Sequence, residues 1–172
     1  MSSHLMIDLE TLGQRPGSVI ASIGAVLFGD GQVHSKFYRR IDLKSCTQAG
    51  LTVDADTVAW WLRQGDQARA ETFGEDEPRT TLAVALQQLS ALIGPQTCVW
   101  GNGAVFDLGL LAAAYHALHL EVPWKFRNER CYRTVAALNP QVPRPAMAGV
   151  KHVAVDDAEA QARHLMLILP GL

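Results

Sequence analysis

Met6-Ile7-Asp8-Leu9-Glu10 is the stretch on which the fold of this 172-residue chain turns. Ile7 and Leu9 alternate with Asp8 and Glu10. An extended backbone therefore sends both aliphatic side chains to one face and both carboxylates to the other. The segment from Leu5 to Leu9 is short and apolar, and a turn from Gly13 to Gly17 follows it, which reads as the end of a strand. If that strand is central, two carboxylates lie side by side at its end. Burying like charges together costs on the order of several kcal/mol unless a cation neutralises them. The alternative is that the strand has already ended and both acids are solvated turn residues.

Working outward, Val19 to Phe28 and Val33 to Ile41 read as two further strands joined by the turn Gly29-Asp30-Gly31. The period then changes. Asp54 and Asp56 are helix-start residues ahead of a helix from Thr57 to Arg69, and a second helix runs from about Pro78 to Leu92, where Gly94-Pro95 stops it. Thr97 to Trp100 is a short buried strand. Val105 to Leu118 is apolar on nearly all sides and reads as a buried helix, residues 124 to 133 as one more strand, and Val153 to Leu169 as a last helix after a Pro-rich loop. With no repeat or linker, residues 1 to 172 are expected to form one α/β domain on a mixed sheet.

Two further places carry charge in apolar company. Asp107 falls in the first turn of the buried helix, between Val105, Phe106, Leu108 and Leu110. A helix dipole favours an anion there by only about 0.3–1 kcal/mol, which does not account for such neighbours. A metal accounts for a third acid approaching the sheet end. The last cluster is His152-Val-Ala-Val-Asp156-Asp157-Ala-Glu159, a histidine ahead of an acidic first helical turn. Helical geometry does not choose between Asp156 and Asp157, because the apolar stripe from Val155 to Leu169 has its centre about equally far from both.

Composition narrows the classes. The chain is 48% hydrophobic and 19% charged, which excludes disorder, and no apolar run approaches the roughly 20 residues that cross a bilayer. Its 15 Lys+Arg and 17 Asp+Glu give a formal charge of −2, the wrong sign for binding nucleic acid by charge alone. Cys46, Cys98 and Cys131 form neither a CxxC pair nor a zinc spacing and suit buried thiols in a reducing compartment. The N-terminal stretch lacks a signal-like pattern, so a cytoplasmic protein is expected.

Taken together, Asp8-x-Glu10, Asp107, and His152 with Asp157 five positions on resemble the DEDD superfamily of 3′–5′ exonucleases, in the histidine-containing (DEDDh) branch with RNase T, oligoribonuclease and proofreading subunits. Asp56-Thr57-Val-Ala-Trp60-Trp61 is similar to a Thr-x-x-Trp-Trp helix in a sub-branch of phage exonucleases and mycobacterial-type exoribonucleases. The family pattern, His then four residues then Asp, selects Asp157 over Asp156. The resemblance implies an RNase H-like fold, a mixed five-stranded sheet flanked by helices. It implies two Mg²⁺ or Mn²⁺ ions on Asp8, Glu10, Asp107 and Asp157, with Asp8 shared, Glu10 and Asp157 on the nucleophile side and Asp107 on the other. It further implies His152 as general base, a single-stranded DNA or RNA 3′ end as substrate, and a homodimer.

An all-oxygen ligand set suits such hard cations. Leu12, Asn102, Phe106 and one of Trp60 and Trp61, taken as Trp61, are the candidate substrate contacts. Lys125, Arg127, Arg130 and Arg133 offer a phosphate or subunit contact. Two other readings remain open: a catalytically silent nucleic-acid-binding domain of the same fold, and a phosphodiesterase acting on very short oligonucleotides. With four of the 17 acids offset by metal, 13 face the 15 bases, and the charge objection to a polyanionic substrate falls away.

Overall fold

A computed structural model describes residues 3–74 and 76–171. Three strands come first: β1 (His4–Thr11), β2 (Ile20–Gly29) and β3 (Gln32–Arg40). Two more, β4 (Cys98–Gly101) and β5 (Glu129–Cys131), complete a sheet of order β3-β2-β1-β4-β5. β1 is central, antiparallel to β2 and parallel to β4. The mixed five-stranded sheet therefore matches the expectation, and the turn between β2 and β3 shows why it forms. Asp30 and Gly31 both adopt positive φ, 51° and 74°, as a two-residue hairpin of the type that follows the sheet's twist requires.

The strict alternation along β1 divides the molecule into two cores. Leu5, Ile7 and Leu9 join Ile23, Val99 and Leu111 in the larger one, while Met6 joins Val26, Trp100, Ala158 and Leu165 in the other. Asp8 and Glu10 thus continue the face begun by Met6, which is covered by the last helix.

The helices are α1 (Leu43–Gln48), α2 (Ala55–Trp61), α3 (Asp66–Phe73), α4 (Leu82–Ser90), α5 (Ala104–Ala117), α6 (Tyr132–Leu138) and α7 (Ala154–Ile168). Asp54 caps α2 by accepting the Thr57 N–H. The single helix expected from Thr57 to Arg69 is instead two, because Gly65 takes an extended conformation and Asp66 starts a new first turn. The helix expected from Pro78 starts only at Leu82. Thr80 is held extended there by backbone bonds to Arg40 and Asp42. Helices α1 and α6 were not foreseen, and α6 begins inside the segment read as strand 124–133.

Two glycines let helices come close to the sheet. Gly24 lies opposite Asp8 on β2, and a Cβ there would stand 2.2 Å from the Ala154 carbonyl carbon and the Val155 nitrogen. Only a glycine admits the start of α7 at that point. Gly101 pairs with Ile7, and its missing Cβ leaves room for the Asp107 carboxylate, 3.0 Å from where that carbon would be.

Candidate active site

The central strand ends in a cavity of about 760 Å³. Its floor carries Asp8, Glu10 and Asp157, and its wall includes His152, Asn102, Phe106 and both tryptophans of α2. The two acids of β1 reach it by strand alternation. Asp157 comes from the first turn of α7, which the Gly24 contact presses against β1 and β2. Asp107 comes from the first turn of α5 on the opposite face of the sheet. It is 2% exposed and sits back from the wall.

His152 lies just ahead of α7 with a φ of 66°, a conformation side chains seldom adopt. Its N–H donates to Asp157 Oδ2 at 2.7 Å, which fixes the turn. Ligand atoms of Glu10, His152 and Asp157 all lie within 4.8 Å of one another. Asp156 is turned away: its Oδ2 accepts the Val150 N–H at 2.8 Å and packs where a Cβ on Gly149 would be. The structure thus brings Asp157, and not its neighbour, to Glu10.

Across the cavity the imidazole meets the α2 tryptophans edge-on, 5.1 Å from the Trp60 ring and 6.4 Å from that of Trp61. Trp61, expected to meet substrate, is 3% exposed and spends its Nε1–H on the Thr11 carbonyl. The open ring belongs to Trp60, 36% exposed. Leu12, also expected as a substrate contact, is 8% exposed and packs in the larger core. Phe106 does line the cavity, as does Asn102, whose carbonyl accepts from Arg133 at 2.8 Å. Of the basic run, Arg133 reaches the site in this way, while Arg130 spends Nη1 on the Arg127 and Glu129 carbonyls.

The 3'-5' exoribonuclease Rv2179c-like domain family matches residues 3–169. The chain belongs to this family. Solved structures with a similar fold include E. coli exonuclease I with a dT13 oligonucleotide, at 15% identity and a TM-score of 0.65 over 96% of this chain and 41% of that one. The nuclease domain of 3'hExo, a DEDDh family member bound to rAMP, is 14% identical with a TM-score of 0.63, covering 96% of this chain and 92% of that one. A 3′-exonuclease that recognises the histone mRNA stem-loop is 15% identical with a TM-score of 0.62, over 96% and 81%. The chain spans about two fifths of the length of the exonuclease I chains it matches. Curated protein sequences gave no match. The fold is RNase H-like.

Membership of this exoribonuclease domain family implies a divalent metal, and the residues present fit one. Asp107 Oδ2 is buried without a hydrogen-bond partner, as is Gln161 Oε1. Burial raises the Asp8 carboxyl well above its usual range, and the charges of Asp107, Glu10 and Asp157 raise it further, against a hydrogen bond from Gln161. Burial, then Asp157 and Asp107, push Glu10 up to about 8. Burial pushes Asp107 up to about 7, although backbone N–H groups of Asn102, Leu9 and Asp107 itself and the charge of Arg133 oppose it. Acids crowded together in this way suit a cation, and oxygen donors with one imidazole and no thiol suit a hard one.

The sequence reading missed Gln161. One turn after Asp157 on α7, it is buried and donates Nε2–H to Asp8 Oδ1 at 2.8 Å. Its signal was the i+4 spacing from Asp157, which puts both on one helix face. Arg15, Arg63, Arg144 and Lys151, also unforeseen, set positive charge on the cavity wall.

Proposed function

We propose that the chain is a divalent-cation-dependent 3′–5′ exonuclease acting on the 3′ end of single-stranded DNA or RNA. The observation that carries this reading is the gathering of four acids at the end of β1, with ionisation opposed by burial at all four and, at Asp8 and Glu10, by the neighbouring acids as well. The family's description as exoribonuclease supports RNA as a substrate. Asp8, Glu10, Asp107 and Asp157 would hold two Mg²⁺ or Mn²⁺ ions. Bound there, such ions supply charge stabilisation to the attacking and leaving oxygens of an in-line phosphoryl displacement.

The chain's own groups do the rest. His152 accepts the proton of the attacking water on an imidazole nitrogen. Burial lowers its pKa, against the charge of Asp157, which keeps the ring neutral and basic near pH 7. Asp157 has a second task, because its bond to the His152 N–H fixes the backbone that carries the ring. Trp60 meets that ring edge-on and limits its swing. Gln161 orients the Asp8 carboxylate. Phe106 and Trp60 offer ring surface to the terminal nucleotide, and Arg15, Arg63, Arg144 and Lys151 offer charge to its phosphates. Leu12 and Trp61 serve as scaffold.

Short DNA and RNA strands labelled at either end, incubated with Mg²⁺, Mn²⁺ or EDTA, test this reading. Loss of single nucleotides from the 3′ end, with metal only, is the expected result. No cleavage in either metal would remove the enzyme reading, and cleavage of dinucleotides alone would point to a phosphodiesterase of very short oligonucleotides.

A further inference from the structure

The main cavity, whose wall carries Asp54 and Asp56 besides its arginines and lysine, adjoins a second one. Arg144 lines both, and the smaller cavity, about 350 Å³, adds Arg133 and His164 around an apolar surface that includes Ala137, Val142 and Pro143. Its shape is built rather than incidental. His164 on α7 uses both ring nitrogens, bonding Tyr132 Oη at 2.9 Å and the Val142 carbonyl at 2.9 Å, and so ties the loop before Arg144 to α6 and α7. The Arg144 guanidinium lies 5.6 Å above the Tyr132 ring. Arg133 is anchored on the Asn102 carbonyl, itself part of the main cavity wall. Among the described residues neither arginine has an ion-pair partner, whereas Arg69 and Arg163 each have one and Arg40 has two.

We propose that this second cavity is a subsite for the strand on the 5′ side of the bond being cut, taking a phosphate on Arg133 and Arg144 and a base or sugar on the apolar surface. The inference rests on the exonuclease reading. A 3′-terminal nucleotide held over the acids leaves the remaining strand to run out along the wall, and the shared arginine makes the second cavity contiguous with the first. Guanidinium forks match phosphate oxygens, and an apolar floor accepts any base face, which is how single strands are held without sequence preference.

Ala137 touches only the second cavity, so Ala137→Glu and Ala137→Lys test the proposal as a pair. Fluorescein-labelled dT2 and dT10 serve as probes, in anisotropy titrations with EDTA and in KM measurements with Mg²⁺. Ala137→Glu should raise the dT10 to dT2 ratio of KM roughly fivefold, the effect of one unit charge about 4 Å from a phosphate in water, and weaken dT10 binding equally. Ala137→Lys should leave the ratio at or below wild type, which separates charge from misfolding. The Arg133→Gln, Arg144→Gln double variant should flatten the salt dependence of log Kd for dT10 by about 1.4. Ratios unchanged in both Ala137 variants, or an unchanged salt slope, would overturn the subsite alone. A wild-type protein that neither binds nor cuts either strand would overturn the exonuclease reading, and the subsite with it.

Discussion

Replacing Glu10 by Gln should make the metal-free protein more stable and the enzyme inactive. Glu10 is 7% exposed, and burial with Asp157 and Asp107 nearby raises its carboxyl from 4.5 to about 8. Between those values the unfolded chain is ionised while the folded chain stays protonated. The unfolded chain then binds fewer protons, so stability is lost as pH rises from 4.5 towards 8, the reverse of a salt-bridged acid. At pH 7.5 three pH units separate the solution from the ordinary value, worth about 4 kcal/mol at ~1.36 kcal/mol per unit. Residual water contact lowers this to about 2–4 kcal/mol. Glutamine is neutral throughout and removes the penalty.

For a chain of this length each kcal/mol moves Tm by about 2–4 °C, so Glu10→Gln should melt roughly 5–15 °C above wild type at pH 7.5 in EDTA. The two proteins should melt nearly together at pH 4.5. Circular dichroism melts at both pH values measure this. Added Mg²⁺ should raise the wild-type Tm more than that of the variant. A variant that melts at or below wild type at pH 7.5 in EDTA would refute the claim that these acids are held against their own ionisation.

Further outcomes follow from the same geometry. Asp8→Ala should abolish nucleotide release and weaken cation binding, whereas His152→Ala should lose turnover by about 10²–10⁴-fold and keep the cation, as calorimetry with Mn²⁺ would report. Asp157→Asn should be far less active than Asp156→Asn, whose amide oxygen still accepts the Val150 N–H without the charge and which should cost about 1 kcal/mol or less of stability in chemical denaturation. Gly24→Ala should destabilise the fold by about 3 kcal/mol or more, because its methyl meets the backbone of α7, and activity should fall with it as Asp157 shifts away from Glu10.

The acids of the site were legible because each broke a local rule. Asp8 and Glu10 put two carboxylates on one face of an apolar strand, and Asp107 interrupts a helix apolar on nearly all sides. Such misfits need nothing but the sequence to be seen. The helical start at His152 left Asp156 and Asp157 equivalent, and only the family pattern separated them. What distinguishes them physically is capping of the turn before α7, which helical periodicity does not carry: the Val150 N–H holds Asp156 back in the loop, beside a Gly149 that leaves room for it, and the His152 N–H holds Asp157 toward Glu10. Trp60 and Trp61 show the same limit. Adjacency said that one faces inward, but the Thr11 carbonyl that binds the Trp61 indole lies 50 residues away in the chain. The late start of α4 is likewise tertiary, imposed by Thr80 pairing beside Arg40, whereas the break at Gly65 is local to that glycine and to Asp66. Gln161 and the wall arginines carried no misfit, since polar residues on helices and loops are ordinary.

The central claim, that four crowded acids at the end of β1 form a divalent-cation centre, is tested most directly by counting bound Mn²⁺ by electron paramagnetic resonance in wild type and in Asp8→Asn. The account predicts about two ions per wild-type chain, at Mn²⁺ concentrations that support strand cleavage, and a marked loss in the variant. Equal binding by both proteins, or none by wild type, would contradict it.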